Sequence, residues 1–533
     1  MRKITIWSLL IMFILTSGCQ KEEAKPDEQD VVQVKSVKRE DAKKVIFFMV
    51  DSLMSQAIDD GIKQDKLPAF QYLTEHGMYY KDMVSSFPTM SVTIDSSLIT
   101  GTYPNRHHVP GLIWYSADKK KIINYGTGPM EIWKQGGNEV LQDALINLNG
   151  NHLNPQTPTI YEDLAKHGLK SGSINGLIYR GAANHRLTMP DWLTGITSLP
   201  KEVQVKGPDF FALGSLANPL ENVKELPDGL TKRLGLSNEY SMEAVKYLIK
   251  ENKLPDFLFV YLPDLDQKLH KKGPQERSGV EELDKQLGSL LQQFGSPQEA
   301  LRKNIFIIAG DSGMTSLYSA QNNSVIDLPS LLKDYSVLKQ GESVTDETDI
   351  VLAVNEAMAY VYNLNKENSL RDVAQALTTD PRIDLVSWKE KEWIHVLQGE
   401  TNKEVKYTSN GSMVDRYQQK WTVEQDLDVL DLKLNTNVNT KNQTLSYGKY
   451  PDVLQRLSGA LHSHSGEFLV VTAKPGYELA DRSSPTHEGG GGHGSLHEKE
   501  SLVPLIICGT NEKPQYLRIV DVKPYLLKLL TKD

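Results

Sequence analysis

Three apolar runs in this sequence end in aspartate. "KKVIFFMVDSL" reaches Asp51, "DFLFVYLPDLD" reaches Asp264 and Asp266, and "NIFIIAGDSGM" reaches Asp311. Any one of them alone reads as a helix cap or a turn residue. Together they would repel one another unless a cation joined them. Asp266 and His270 stand four apart, so a helix would put both on one face. Near the end of the chain, "SPTHEGGGGHGSLHEKE" sets His487, His493 and His497 around four consecutive glycines. Glycines Gly489 to Gly492 are costly to order, and they let backbone bend sharply or pass close to a ligand. A flexible linker is the plainer reading, but a strand follows at once. Carboxylates and imidazoles without a thiolate suit Zn²⁺ or Mn²⁺.

The hydroxyl-rich stretch "SSFPTMSVTIDSSLITGTYPNRHH" runs from Ser85 to His108. Ser91 opens its helical pattern. It reads either as an ordinary N-cap or as a nucleophile, because a helix start offers partial positive charge to an alkoxide or a phosphoryl group. A serine hydroxyl needs activation, which a divalent cation on its oxygen provides. Thr89, two residues earlier, is the alternative nucleophile. His107 and His108 follow the helix and are expected to sit away from the cations.

The elements that must position these groups are also visible. The three runs, with "LVPLIICG" and "GEFLVVTAKPG", predict strands buried on both faces. "TIYEDLAKHGLKSG", "SMEAVKYLIKENK" and "GVEELDKQLGSLLQQFG" predict helices between them. This alternation gives an α/β fold with a largely parallel sheet, and ligands of such sheets lie beyond the carboxyl ends of the strands. The region from about Ala320 to His464 differs and predicts a small α+β insertion beside the site. The expected organisation is a signal peptide over 1–19, a tether over 20–42, a core from 43–320 plus 465–533, and the insertion, or cap, over 321–464.

The 533 residues carry a net charge of −9, which disfavours nucleic acid as a partner. An acidic chain can still take a phosphate through bound metal. "MRK", "ITIWSLLIMFIL" and "TSGC" read as an export signal. "LTSGC" resembles the bacterial lipobox, with Thr16 where an aliphatic residue is commoner. That predicts lipidation (palmitate) at Cys19 and a membrane anchor on the extracytoplasmic face. The other cysteine, Cys508, then has no partner and is expected to be buried as a small apolar residue. The sequence says nothing of oligomeric state.

The ordered set resembles the alkaline phosphatase superfamily, in its type I phosphodiesterase/nucleotide pyrophosphatase branch. The likeness lies in the strand ending at Asp51, then "PTMS" and "LITGTYP", then Asp266 and His270 with a trailing Gly-Pro, then Asp311, and finally "GHGS" around His493. It implies an alkaline-phosphatase-like three-layer sandwich with Ser91 as nucleophile and two divalent metal ions. One ion would bind Asp51, Ser91 and Asp311, and the other Asp266, His270 and His493. Zn²⁺ is expected, with Mn²⁺, Mg²⁺ or Ca²⁺ open at the Asp51/Asp311 site. His487 and Ser312 are secondary candidates. Three residues depart from the family pattern. Ser312 stands where a histidine ligand is usual, Ile94 where nucleotide-cleaving members carry an Asn, and Met90 where a Lys is frequent. The expected activity is phosphodiester hydrolysis through a phosphoseryl intermediate, on a small phosphoester or an envelope component. The alternatives are a phosphomonoesterase, a transferase of envelope phospho-headgroups, or a degenerate binding lipoprotein.

Overall fold

The computed structural model describes residues 43–126, 137–195, 197–339, 341–436, 443–482 and 484–531. Cys19, the signal segment and the tether lie outside the described residues.

A seven-stranded sheet forms the centre. Its spatial order is Gly77–Val84, Leu502–Cys508, Asn304–Gly310, Lys44–Val50, Phe257–Leu262, Ser171–Ile174 and Phe210–Ala212. The last five run parallel to one another, and only Leu502–Cys508 is antiparallel to its neighbours. The strand Lys44–Val50 shows why its sequence is apolar throughout. Ile46, Phe48 and Val50 face one core, while Val45, Phe47 and Met49 face the other, as side-chain alternation in a strand requires. Helices Ser55–Lys63, Pro68–Glu75, Asn238–Lys250 and Ser278–Gln292 cover the first face. Ser91–Thr100, Ile160–Lys166 and Ile519–Thr531 cover the second.

Register then places the chemistry. Val50 lies opposite both Leu262 and Gly310, so the residues that follow these three strands emerge side by side at one sheet edge.

A second sheet has nine strands and is almost wholly antiparallel, with one parallel pairing. The strand Phe468–Ala473, from the run "GEFLVVTAKPG", was expected beside the other apolar runs in the parallel sheet. It pairs instead between Met358–Asn363 and Ile383–Glu390 in the second sheet. Burial on both faces is common to the two positions, so its composition could not distinguish them. The turn between Ile350–Asn355 and Met358–Asn363 points back at the edge where Asp51 and Asp311 emerge, because Ala357 N donates to His493 O at 3.0 Å.

Candidate active site

Asp51 and Asp311 leave adjacent strands and are both buried. Asp311 Oδ1 accepts from the backbone N–H groups of Ser52, at 2.8 Å, and of Ser312, at 2.6 Å. Its Oδ2 is buried with no hydrogen-bond partner. Asp51 Oδ2 accepts from the Tyr261 hydroxyl at 2.5 Å, and its Oδ1 accepts from Ser91 Oγ at 3.2 Å. Burial first, then the charges of Asp311 and Asp266, push Asp51 well above the usual carboxylate range. Burial likewise raises Asp311. Such crowding of acids is destabilising unless a cation compensates it.

Ser91 is the first residue of the helix Ser91–Thr100. Met90 is the N-cap and its side chain makes no cap bond. Ser91 therefore is not the capping residue, and its hydroxyl faces Asp51 instead. Thr89 is turned elsewhere. Its Oγ1 accepts from Gly494 N at 2.7 Å and its carbonyl from His493 Nδ1 at 2.6 Å, so it braces the histidine loop. His107 is fully buried and bonds Ser97 through Nε2 at 3.0 Å. His107 ends the short helix Pro104–His107, and His108 is its C-cap.

Asp266 and His270 lie on the helix Asp264–Lys272, and Asp266 Oδ1 is 3.2 Å from His270 Nε2. His493 Nε2 is 3.6 Å from the same oxygen. His270 Nδ1 lies 2.8 Å from Gly491 O. Since a carbonyl only accepts, Nδ1 of both His270 and His493 carries a proton, and Nε2 is the nitrogen left to meet a metal once it gives up its own. Ligands about 2.0 Å from a tetrahedral Zn²⁺ stand about 3.3 Å apart, close to the separations observed. Burial opposes charge on Asp266, but His270 and then His493 outweigh it and hold the carboxyl well below its ordinary value. Asp264 is elsewhere: it pairs with Arg233 at 2.7 Å and caps Asn238 N at 3.0 Å.

The glycine run is a packing requirement rather than a linker. A Cβ on Gly490 would come within 1.9 Å of His270 O, and one on Gly491 within 2.3 Å of Met314 Sδ. Gly491–Gly492 pairs with Thr315–Ser316, which carries the loop across the end of the His270 helix.

Ser312 is fully buried, with Oγ 3.1 Å from Ser52 Oγ. Ser52 Oγ also donates to Asp266 Oδ1 at 2.8 Å. His487 packs on His270 with ring centroids 4.3 Å apart. His497 N-caps the helix Glu498–Ser501. Three residues of the site escaped the sequence reading: Ser52, Tyr261 and Glu356. Ser52 follows Asp51 directly, and Tyr261 points to the same strand end, so both had a positional signal. Glu356 comes from the second sheet and had none. Its Oε2 accepts from His493 N at 3.1 Å, and its Oε1 is 3.7 Å from His270 Nε2.

The donor set fits divalent metal. One group offers Asp51, Asp311 with its orphaned Oδ2, and the Ser91 hydroxyl. The other offers Asp266 and two imidazoles already oriented through Nε2.

Solved structures with this architecture define the class. The fold matches phosphonoacetate hydrolase from Sinorhizobium meliloti 1021 in complex with phosphonoformate, at TM-score 0.54 and 14% identity, covering 93% of this chain and 99% of that one. It also matches murine ectonucleotide pyrophosphatase/phosphodiesterase 5 in complex with AMP, at TM-score 0.52 and 14% identity, covering 92% of this chain and 96% of that one. The human counterpart gives 0.51 and 15%, with the same coverage. The fold is thus alkaline-phosphatase-like. Residues 45–496 match the family described as type I phosphodiesterase / nucleotide pyrophosphatase, and the chain belongs to that family of phosphoester hydrolases. No curated protein matches it.

Proposed function

We propose that this protein is a divalent-cation-dependent phosphodiesterase that works through a phosphoseryl intermediate on Ser91, held at the extracytoplasmic membrane face by lipid on Cys19. The observation that carries the reading is the Ser91 hydroxyl at a helix start, 3.2 Å from Asp51 Oδ1. Cations on Asp51, Ser91 and Asp311 and on Asp266, His270 and His493 would supply Lewis-acid charge, with Zn²⁺ suited to the imidazole set and Zn²⁺, Mn²⁺, Mg²⁺ or Ca²⁺ to the oxygen set.

The chain's own groups do the rest. Ser91 Oγ attacks phosphorus in line, the Oγ–P bond forms, the P–O bond to the leaving group breaks, and the group leaves as an alkoxide with that electron pair and takes a proton from water. The hydroxyl proton already points at Asp51 Oδ1. The unpaired N–H groups of the helix's first turn favour the phosphoryl oxygens. Water then cleaves the Oγ–P bond and restores Ser91. Tyr261 holds the second oxygen of Asp51, which keeps that carboxylate oriented. Ile94, near the position where nucleotide-cleaving members carry an Asn, and Met90, in place of a frequent Lys, give no support to nucleotide specificity.

The test is acid quenching during turnover of bis(p-nitrophenyl) phosphate, followed by peptide mapping. A phosphoester on Ser91 is expected. Turnover with the adduct on Thr89, or with none, would reject the reading. Cys19→Ala should release the protein from the membrane fraction.

A further inference from the structure

Three imidazoles at this site share one preset orientation. His270 and His493 give their Nδ1 protons to the carbonyls of Gly491 and Thr89. His487 is held by a carboxylate: its backbone N donates to Glu478 Oε1 at 2.7 Å, and its Nδ1 lies 3.4 Å from Glu478 Oε2. Glu478 is fully buried. A carboxylate or carbonyl on one ring nitrogen is what directs the other to a metal. The third imidazole is thus prepared as the first two are.

The rings form a row. His270 stands in the middle, 5.1 Å from the His493 ring and 4.3 Å from the His487 ring. Donor atoms of Asp266, His270 and His493 lie within 4.8 Å of one another, and so do those of His270, Glu356 and His487. The trios share only His270. With Nδ1 committed to Gly491, His270 has a single lone pair, on Nε2, and can serve one cation at a time.

Glu356 sits in the turn between two strands with φ +58°. A non-glycine residue in that conformation is strained and marks a place where surroundings fix the side chain. Side-chain exposure rises along the row, from 5% at His493 through 14% at His270 to 23% at His487. Of the three rings, His487 therefore lies nearest solvent.

We propose that His270, Glu356 and His487 form an outer cation position, exclusive with the inner one of Asp266, His270 and His493, and that a divalent ion enters the inner position through it. His270 passes the ion inward by exchanging Glu356 and His487 for Asp266 and His493. The inner position is the one used in the proposed function, so the relay rests on that reading. The outer position rests on its own residues.

The first arm removes both inner partners of His270. Asp266→Asn/His493→Gln loaded with Co²⁺ should still show paramagnetically shifted imidazole N–H resonances, from His270 and His487, and adding Glu356→Gln and His487→Gln should remove them. The Asp51/Asp311 pocket contributes no imidazole and cannot give that signal. The second arm follows Zn²⁺ entry and exit in the full-length protein by stopped flow with a fluorescent chelator. In His487→Gln both rates should fall together by about tenfold, while equilibrium affinity stays within about threefold. Melting curves of the conservative variants establish folding. Loss of imidazole signals in Asp266→Asn/His493→Gln, or unchanged rates in His487→Gln, overturns the outer position. A tenfold loss of equilibrium affinity in His487→Gln also overturns it, because the groups then make one merged centre. In each of these cases the Ser91 phosphodiesterase reading stands or falls separately, on the trapped intermediate.

Discussion

The hydroxyl of Ser52 donates to Asp266 Oδ1 at 2.8 Å, and so joins the strand that ends at Asp51 to the helix that carries His270. Ser52 has φ +58°, a conformation glycine adopts freely. Ser52→Gly should therefore fold with stability within about 1 kcal/mol of the parent. Asp266 loses a donor that orients it, so Zn²⁺ affinity at the imidazole site should fall roughly tenfold. Chelator competition and thermal melts check both halves. An unchanged affinity would show that Asp266 needs no such support.

The same serine bears on position 312, where the family resemblance leads one to expect a histidine. Ser312 is fully buried against Ser52, so the imidazole of Ser312→His meets an occupied space. Overpacking of this kind costs about 1–3 kcal/mol. The single variant should be destabilised, and Ser52→Gly/Ser312→His should recover stability and bind Zn²⁺ more tightly beside Asp51 and Asp311. A Zn²⁺ titration with diesterase rates distinguishes the outcomes. If the double variant binds no better than Ser52→Gly, residue 312 does not face the cation.

Ser91→Ala should lose turnover of a chromogenic phosphodiester by about a thousandfold or more while metal content largely survives, since other ligands remain. Thr89→Ala should behave differently. It leaves the buried Gly494 N–H without its acceptor, which costs about 1–3 kcal/mol of stability, and the hydroxyl nucleophile is intact. Equal loss of turnover in both, at equal stability, would contradict these separate roles.

Burial opposes a charge on His270, but Glu356 and then Asp266 outweigh it and raise the ring to about 9. A cation at Nε2 must displace that proton. Affinity should therefore rise with pH up to about 9, and binding at neutral pH should release protons. Calorimetry in buffers of different ionisation enthalpy counts them. No proton release at pH 7 would mean that His270 is already neutral.

His107 shows the opposite shift. Burial, and then the neighbouring His108, lower it to about 3, and its Nδ1 accepts from Val109 N at 3.1 Å, as a neutral ring can. In the unfolded chain it titrates near its ordinary value of about 6.5. Its contribution is fully present above that value and is lost as pH falls toward about 3, at up to about 1.4 kcal/mol per pH unit. Melting temperature against pH should fall less steeply for His107→Gln than for the parent. Parallel curves would assign the acid sensitivity to other groups.

The sequence showed those parts of the site whose position follows from local pattern. Asp51 and Asp311 end apolar runs, and a buried strand that stops at a polar residue puts it at the sheet edge. Asp266 and His270 follow helical spacing. His493 was marked by glycines that only a close approach explains. Glu356 was not legible, because it reaches the site through pairing of the second sheet, and no local pattern records that. The strand Phe468–Ala473 went to the wrong sheet for a related reason: apolar composition reports burial and not the neighbour.

The turn that carries Glu356 also bears on modularity. Ala357 N and Glu356 Oε2 both hold the backbone of His493, and Leu479 N bonds Glu356 O at 2.8 Å. The second sheet is then no detachable cap over a self-sufficient engine. Excising it would leave the Ser91 helix and the three aspartates but unseat the last histidine. Exchanging this sheet for another would therefore also exchange the groups that hold the backbone of His493.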